Sequence, residues 1–392
     1  MIMAKKENKD FSKLRIAITH LNLSWYRIPL FKILQDKIKS DIIILNAKDL
    51  PTYGKVDFDV IEHLLKKYKI SYKTEKIISY NNLYFNPFLL RTLSIYDIIV
   101  WGEPILSFNS FLFIPTLKLF RKKVVLWVDD WNYKKHLIRK IFEPFVRLIY
   151  LIADGILVHG IKHYLYFLKL GVDKRKIFFI GNASTIFREF SSKDEIERIR
   201  GILNTKYIIL YVGGLIKRKN VDKIIKALYY LRQKNVDIGL LIVGQGPEFK
   251  NLYKLVLEMS LTDHIKFLGW IPFHRLVNYY LASDIFIFPA ENEPWGLVIN
   301  EALEAGIPIV TTKCIGAEEL IANNINGVLI NEINEINIVD GIIKCLSKKI
   351  DVNNQIISKI KKKYNYKTMA NLFIKSLMKI YYYNHKDNRN EY

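Results

Sequence analysis

From Leu14 onward, short apolar runs alternate with longer stretches in which apolar residues recur at helical spacing. The runs are Leu14–Thr19, Asp41–Leu45, Asp97–Trp101, Val124–Val128, Gly155–His159 and Lys176–Ile180. Runs of this kind with helical patterns between them predict a parallel sheet built from βα units. The pattern then restarts with Tyr207–Val212, Gly239–Val243, Ile265–Leu268, Ile285–Phe288 and Ile307–Val310, and with helical windows such as Val221–Leu231. Two doubly wound α/β domains in series are expected. Asn182–Leu203, small and polar at its start and charged from Lys193 to Arg200, reads as the linker. Tyr364–Tyr383 carries Met369, Leu372, Phe373, Leu377 and Ile380 at helical spacing, ahead of a polar tail from Asn384. The expected division is therefore residues 1–190, residues 191–365, and a C-terminal helix and tail over 366–392 that packs back toward the first domain.

Composition agrees with two domains. The chain has 392 residues, half of them hydrophobic, and its 18 Gly and 11 Pro exclude collagen-like, coiled-coil and wholly disordered classes. Cys314 and Cys345, the two cysteines, support neither a disulfide framework nor a zinc site. A reducing, cytosolic setting is expected, the more so because residues 1–13 are Lys-rich and polar, unlike a signal peptide. The longest charge-free runs, Ile77–Leu90 and Pro104–Leu117, are 14 residues each, short of a spanning helix.

Charge changes the picture. The formal net charge is +22, and residues 1–190 supply +15 of it, with 32 basic and 17 acidic residues. Phosphorylated ligands, anionic lipid and nucleic acid all suit such a surface. Lys118–Lys123 and Lys134–Tyr150 mix basic with large apolar residues. Two readings stand for the second stretch: its apolar face lies in an anionic membrane interface, or Leu137, Ile141, Phe145 and Leu148 pack on the sheet.

The chemistry should gather where the strands end. Phe286–Gly306 (FIFPAENEPWGLVINEALEAG) closes a strand, turns, and opens a helix near Gly296, whose free amides with those of Leu297 and Val298 suit an anion. Glu293 precedes that helix and Glu301 lies inside it, so that one ligand between them would meet two acceptors. Val212–Asn220 (VGGLIKRKN) offers Gly213 and Gly214 for close backbone approach to phosphate, followed by Lys217, Arg218 and Lys219. LIVGQGPE, with Gly244 and Gly246, and FLGWIP, with Ile271, are two further strand-end loops.

In combination and in order, these stretches and IGAEELI resemble glycosyltransferase family 4, well over residues 205–331 and in outline before them. The resemblance implies a GT-B fold: an acceptor-binding N-terminal and a donor-binding C-terminal Rossmann-like domain facing a central cleft. It implies that Glu293 bonds the donor sugar hydroxyls, Glu301 the nucleotide ribose and Lys219 the diphosphate. Gly296 and Leu297 would offer amides, and Ile271 would lie beside the base. The expected donor contacts are thus Gly213, Gly214, Arg218, Lys219, Gly244, Ile271, Glu293, Trp295, Gly296, Leu297 and Glu301. The family often has Arg where Gly214 stands, so that one diphosphate contact is either missing or comes from Arg218.

In the first domain the family often has a His after the fourth strand; here VVLWVDDWN puts Asp129 and Asp130 there. Asp130 is taken as an acceptor-orienting base beside Glu293 and Lys219 as catalytic residues. His20 and Arg27 follow the first strand as candidates for donor phosphates or acceptor, and His159 reads as structural. The expected activity is a retaining, metal-independent, cytosolic transfer from a nucleotide-diphosphate sugar to a hydroxyl acceptor, needing no cofactor. The expected acceptor is a lipid-linked glycan at an anionic membrane surface, met through the N-terminal domain. Alternatives are a sugar phosphorylase, a synthase with a soluble sugar-phosphate acceptor, or a basic nucleic-acid-binding protein. The last lacks any recognisable nucleic-acid motif.

Overall fold

The computed structural model describes residues 11–21, 24–45, 58–75, 78–80, 83–129, 137–184, 188–347 and 354–387. Its contacts divide the chain into two units, one dominated by residues before Asn182 and one by Ala183–Asn365.

The first unit runs β1 (Ile16–His20), α1 (Ile28–Lys37), β2 (Ser40–Leu45), α2 (Phe58–Tyr68), β3 (Tyr72–Glu75), a hairpin of β4 (Ile78–Tyr80) and β5 (Leu83–Phe85), α3 (Leu89–Leu93), β6 (Ile98–Gly102), α4 (Phe108–Leu119), β7 (Lys123–Trp127), α5 (Leu137–Ile152), β8 (Gly155–Val158), α6 (Ile161–Lys169) and β9 (Ile177–Phe179). Seven of these strands form a parallel sheet in the order β3-β2-β1-β6-β7-β8-β9. The order reverses between β1 and β6, which leaves a crevice at their C-terminal ends. The predicted strands all appear, shifted by at most two residues at either end. β3 escaped the pattern because Tyr72, Lys73 and Thr74 are exposed on the sheet edge and form no apolar run.

The second unit holds α7 (Lys193–Arg200), β10 (Tyr207–Val212), α8 (Val221–Gln233), β11 (Ile238–Val243), α9 (Phe249–Glu258), β12 (Ile265–Gly269), α10 (Phe273–Leu281), β13 (Ile285–Phe288), α11 (Leu297–Ala305), β14 (Ile309–Thr312), β15 (Gly327–Ile330), α12 (Glu335–Ser347) and α13 (Asn354–Lys363). Its parallel sheet has the order β12-β11-β10-β13-β14-β15, with the reversal between β10 and β13. Every residue of β11 is buried, as expected of a parallel strand covered by helices on both faces.

The expected linker is largely part of this second unit. Ile199 and Leu203 are buried in its core, and the Ser192 amide donates to Asn278 Oδ1 at 2.8 Å, so the division falls at Asn182 and not at residue 190. The final helix, α14 (Tyr366–Asp387), belongs with the first unit. Phe373 meets Trp127 with ring centroids 5.4 Å apart. Ile380 lies so close to β8 that a Cβ on Gly155 would stand 2.4 Å from its Cδ1.

Candidate functional site

The strand reversal in the second unit sets the loop after β10 beside the loop after β13. Gly213 and Gly214 leave β10, Lys217–Lys219 make one 3-10 turn, and Asn220 (φ 54°) turns the chain into α8. Asn220 Nδ2 donates to Pro289 O at 2.9 Å and the Glu291 amide to Arg218 O at 2.8 Å, tying the two loops together. Gly213 permits the close turn: a Cβ there would stand 2.8 Å from the Tyr211 hydroxyl, which donates to Gly214 O.

Three charged side chains meet across these loops. Arg218 Nη1 and Lys219 Nζ both donate to Glu293 Oε2, at 2.7 and 2.6 Å. Lys219 is buried and its ammonium also lies 4.3 Å from the centroid of the Phe288 ring, whereas Arg218 keeps 43% of its side chain exposed. Burial pushes the Lys219 ammonium below its usual value, and the Glu293 carboxylate opposes that fall. Glu293 is anchored by its backbone, which donates to Cys314 O at 3.2 Å and accepts from the Gly316 amide at 3.0 Å. Past it, Gly296 (φ 89°) starts α11, and the amides of Gly296, Leu297 and Val298 have no acceptor among the described residues. Two cations and a positive helix end thus converge on one loop junction.

Glu301 stands apart from this cluster. It is buried, with Oε1 accepting from the Ser184 hydroxyl at 2.9 Å and Oε2 from the Tyr280 hydroxyl at 2.8 Å. Burial pushes its carboxyl up, against the pull of these two hydrogen bonds. Trp295 is buried as well; its indole N–H donates to Asn300 Oδ1 at 2.9 Å and its ring meets Tyr364. Gly244 (φ 141°) serves loop packing: a Cβ there would stand 1.8 Å from Gly213 O, inside any van der Waals limit. Ile271 is half-buried in the loop after β12.

In the first unit, Asp130 lies outside the described residues. Its neighbour Asp129, half-exposed, has Oδ1 2.5 Å from Nε2 of the buried His159, whose Nδ1 stands 2.8 Å from Gly181 O. Each ring nitrogen thus faces an oxygen. Partial desolvation disfavours the Asp129 carboxylate, but the His159 ring beside it, with Arg27 behind, holds it well below the usual carboxylate range. Arg27 is buried with its guanidinium carbon 4.3 Å from the Trp127 ring centroid. His20 packs edge-on to Phe31 and Trp127, and burial, then the Arg27 charge, push its pKa down to about 3. Sequence reasoning missed Ser184 and Tyr280: the first sat in an apparent linker and the second within an ordinary amphipathic helix.

The family described as glycosyl transferases group 1 matches residues 192–363. A UDP-Gal:alpha-D-GlcNAc-diphosphoundecaprenol alpha-1,3-galactosyltransferase of Escherichia coli is 30% identical over 47% of this chain and 47% of its own length. A GDP-mannose-dependent alpha-(1-6)-phosphatidylinositol monomannoside mannosyltransferase of Mycolicibacterium smegmatis is 28% identical over 33% of this chain and 36% of its own. The chain thus spans less than half the length of these curated relatives. The fold is similar to that of the Anabaena protein Alr3699/HepE crystallised with UDP and glucose, with TM-score 0.73, 18% identity, and coverage of 93% of this chain and 99% of that one. A Thermosynechococcus elongatus sucrose-phosphate synthase is similar at TM-score 0.70 and 15% identity, over 94% of this chain and 99% of that one. These likenesses identify the two Rossmann-like units as those of a GT-B fold.

Proposed function

We propose, from the premise that residues 192–363 belong to glycosyl transferases group 1, that this chain moves a sugar from a nucleoside-diphosphate sugar to a hydroxyl acceptor. The observation that carries the reading is the convergence of Arg218, Lys219 and Glu293 beside the free amides that open α11. In such a transfer the bond from the anomeric carbon to the diphosphate oxygen breaks, and its electron pair leaves on the diphosphate. The acceptor oxygen bonds to the same carbon, and its proton ends on the departing diphosphate. Negative charge therefore grows on the diphosphate, where Lys219, Arg218 and the helix end lower its energy. Glu293 opposes the fall that burial causes in the Lys219 pKa and, in this reading, accepts from sugar hydroxyls. With this electrostatic work done by side chains and amides, the reaction runs without a divalent metal and with the anomeric configuration of the donor retained.

The acceptor in this reading is a lipid-linked glycan met at an anionic membrane surface. Two relatives are named for lipid-borne acceptors, a diphosphoundecaprenol glycan and a phosphatidylinositol mannoside, which supports that choice. No described helix is long and apolar enough to cross a membrane, so the chain would meet lipid from the side.

Calorimetry with UDP, GDP and ADP tests the donor site. Lys219→Ala is expected to weaken binding of the favoured nucleotide, and Glu293→Ala to spare it while depressing transfer. Equal binding by the parent and Lys219→Ala would overturn the assignment. Transfer should persist in excess chelator, and proton NMR of the product should show the donor's anomeric configuration.

A further inference from the structure

An α/β domain ordinarily turns one apolar stripe of each helix toward its sheet and leaves the opposite side polar. Helix α5 departs from this. Val146, Ile149 and Tyr150 are buried against the first unit's core, while Ile141, Phe145 and Leu148, at spacing i, i+4 and i+7, are 61, 59 and 50% exposed. The reading in which Ile141, Phe145 and Leu148 pack on the sheet is therefore corrected: the sheet is covered by the other side of the helix. The neighbouring α4 repeats the arrangement. Phe113, Ile114 and Leu117 are buried, and Phe108, Leu112 and Leu119, at i, i+4 and i+11, are 61, 44 and 83% exposed. Phe111 of α4 stacks on Phe142 of α5 with ring centroids 5.8 Å apart, which joins the two helices. Two adjacent helices thus present second apolar stripes to solvent, an arrangement that marks an interaction surface.

Charge decides what covers it. Glu143 is the only acidic residue in the sequence of the two helices, whereas Arg121 and Lys122 follow α4 and Lys140 and Arg147 edge the apolar stripe of α5. A shallow groove of about 640 Å³ runs along that edge, lined by Lys140, Glu143, Pro144, Arg147, Leu148 and Leu151, so that two cations outnumber its one carboxylate. A second copy of this chain would bring the same cations against themselves. An anionic lipid surface meets both features, taking apolar side chains into its acyl boundary and offering phosphates to the groove.

We propose that the outer face of α4 and α5 is the membrane-docking surface of this protein, with Phe145, Leu148 and Phe108 inserted and Lys140 and Arg147 on lipid phosphates. The proposal rests on the lipid-acceptor reading above and names the surface through which it would operate.

Cosedimentation of the full-length chain with vesicles of phosphatidylglycerol and phosphatidylcholine, or of phosphatidylcholine alone, tests it. The parent should pellet with the anionic vesicles at low salt and be released by high salt. Phe145→Glu combined with Leu148→Glu should reduce the pelleted fraction about tenfold, and Lys140→Glu should weaken it less. Ile336→Glu, at an apolar position of the second unit that is 73% exposed, should pellet like the parent. Unchanged thermal midpoints and nucleotide binding in solution would show that the variants are folded and that the donor site is independent of the surface. Pelleting of the double variant like the parent would overturn the proposal while leaving lipid binding elsewhere. Absence of the parent from both pellets, or a parent dimer that the double variant dissolves, would also overturn it. Loss of nucleotide binding by the parent would instead sink the transferase reading.

Discussion

Each unit buries one cation on an aromatic face, and the two are stabilised differently. In the second unit Lys219 lies 4.3 Å from the Phe288 ring centroid and donates to Glu293 at 2.6 Å. In the first, Arg27 lies at the same 4.3 Å from the Trp127 ring centroid, but its Nε and Nη1 find no acceptor among the described residues. A guanidinium is delocalised, weakly hydrated and charged at any ordinary pH, so an aromatic face suits it, with the charge of Asp129 acting on it besides. An ammonium is compact and strongly hydrated and loses its proton when buried alone. The Glu293 carboxylate opposes the fall that burial causes in the Lys219 pKa, so the second unit keeps its cation beside a neighbouring carboxylate. Arg27 acts on what surrounds it, lowering the pKa of His20 and helping to keep Asp129 ionised.

The sharpest way to break this contrast is Lys219→Ala. Removal of one preorganised cation from a site of developing charge should lower the transfer rate at saturating donor by about 10²- to 10³-fold, or about 3 kcal/mol. Lys219→Arg should recover part of that loss, since the guanidinium carries its charge without help. Steady-state kinetics decide it, and a fall below threefold in the Ala variant would remove the distinction between the two cations.

Next in size is Glu301→Ala, which leaves the hydroxyls of Ser184 and Tyr280 without their buried acceptor. The expected cost is about 1 to 3 kcal/mol of stability for each hydroxyl, read as a lower thermal midpoint. Glu301→Gln should recover about half of it, because the single amide oxygen accepts from one hydroxyl while the NH2 can only donate. A Gln variant that keeps its midpoint but loses nucleotide binding would give Glu301 a ligand role in addition to the packing role seen here.

Arg27→Lys should cost about 2 kcal/mol at neutral pH, because a compact, strongly hydrated ammonium is costlier to bury on the Trp127 face than a delocalised guanidinium. Burial would depress the new amine's pKa in the folded state, so the deficit should shrink as pH rises through the amine's ordinary range. Denaturation at pH 7 and pH 10 checks this, and a pH-independent deficit would assign the loss to packing instead.

The last effect, absent at neutral pH, concerns His20. Its folded pKa of about 3 lies below the ordinary 6.5, so the unfolded chain binds the extra proton between these values. The stabilisation is complete above pH 6.5 and is lost as pH falls toward 3, at about 1 kcal/mol per pH unit. His20→Phe should flatten that slope in urea titrations between pH 6.5 and 4.5. A slope equal to the parent's would mean that another group titrates there.

Much of the fold and of the placing of the candidate site was legible because the signals are local. Strand runs, the glycines after β10 and the turn before α11 each lie within a few consecutive residues, and the cluster of Arg218, Lys219 and Glu293 sits where two such turns end. What stayed hidden depends on partners distant in sequence. Ser184 and Glu301 are 117 positions apart, and nothing near either predicts that the carboxylate is enclosed by hydroxyls.

By itself, then, the sequence determined two doubly wound units in series, the strand ends at which chemistry gathers, and the excess of positive charge in the first half. Tertiary structure decided which of these features meet one another, a core or solvent. Helix α5 carries apolar residues on two sides, and periodicity treats both alike, since hydrophobicity records only that a side chain leaves water at low cost. Val146 and Ile149 meet the sheet while Phe145 and Leu148 do not because the rotation of a helix about its axis is fixed by the neighbours that bury it.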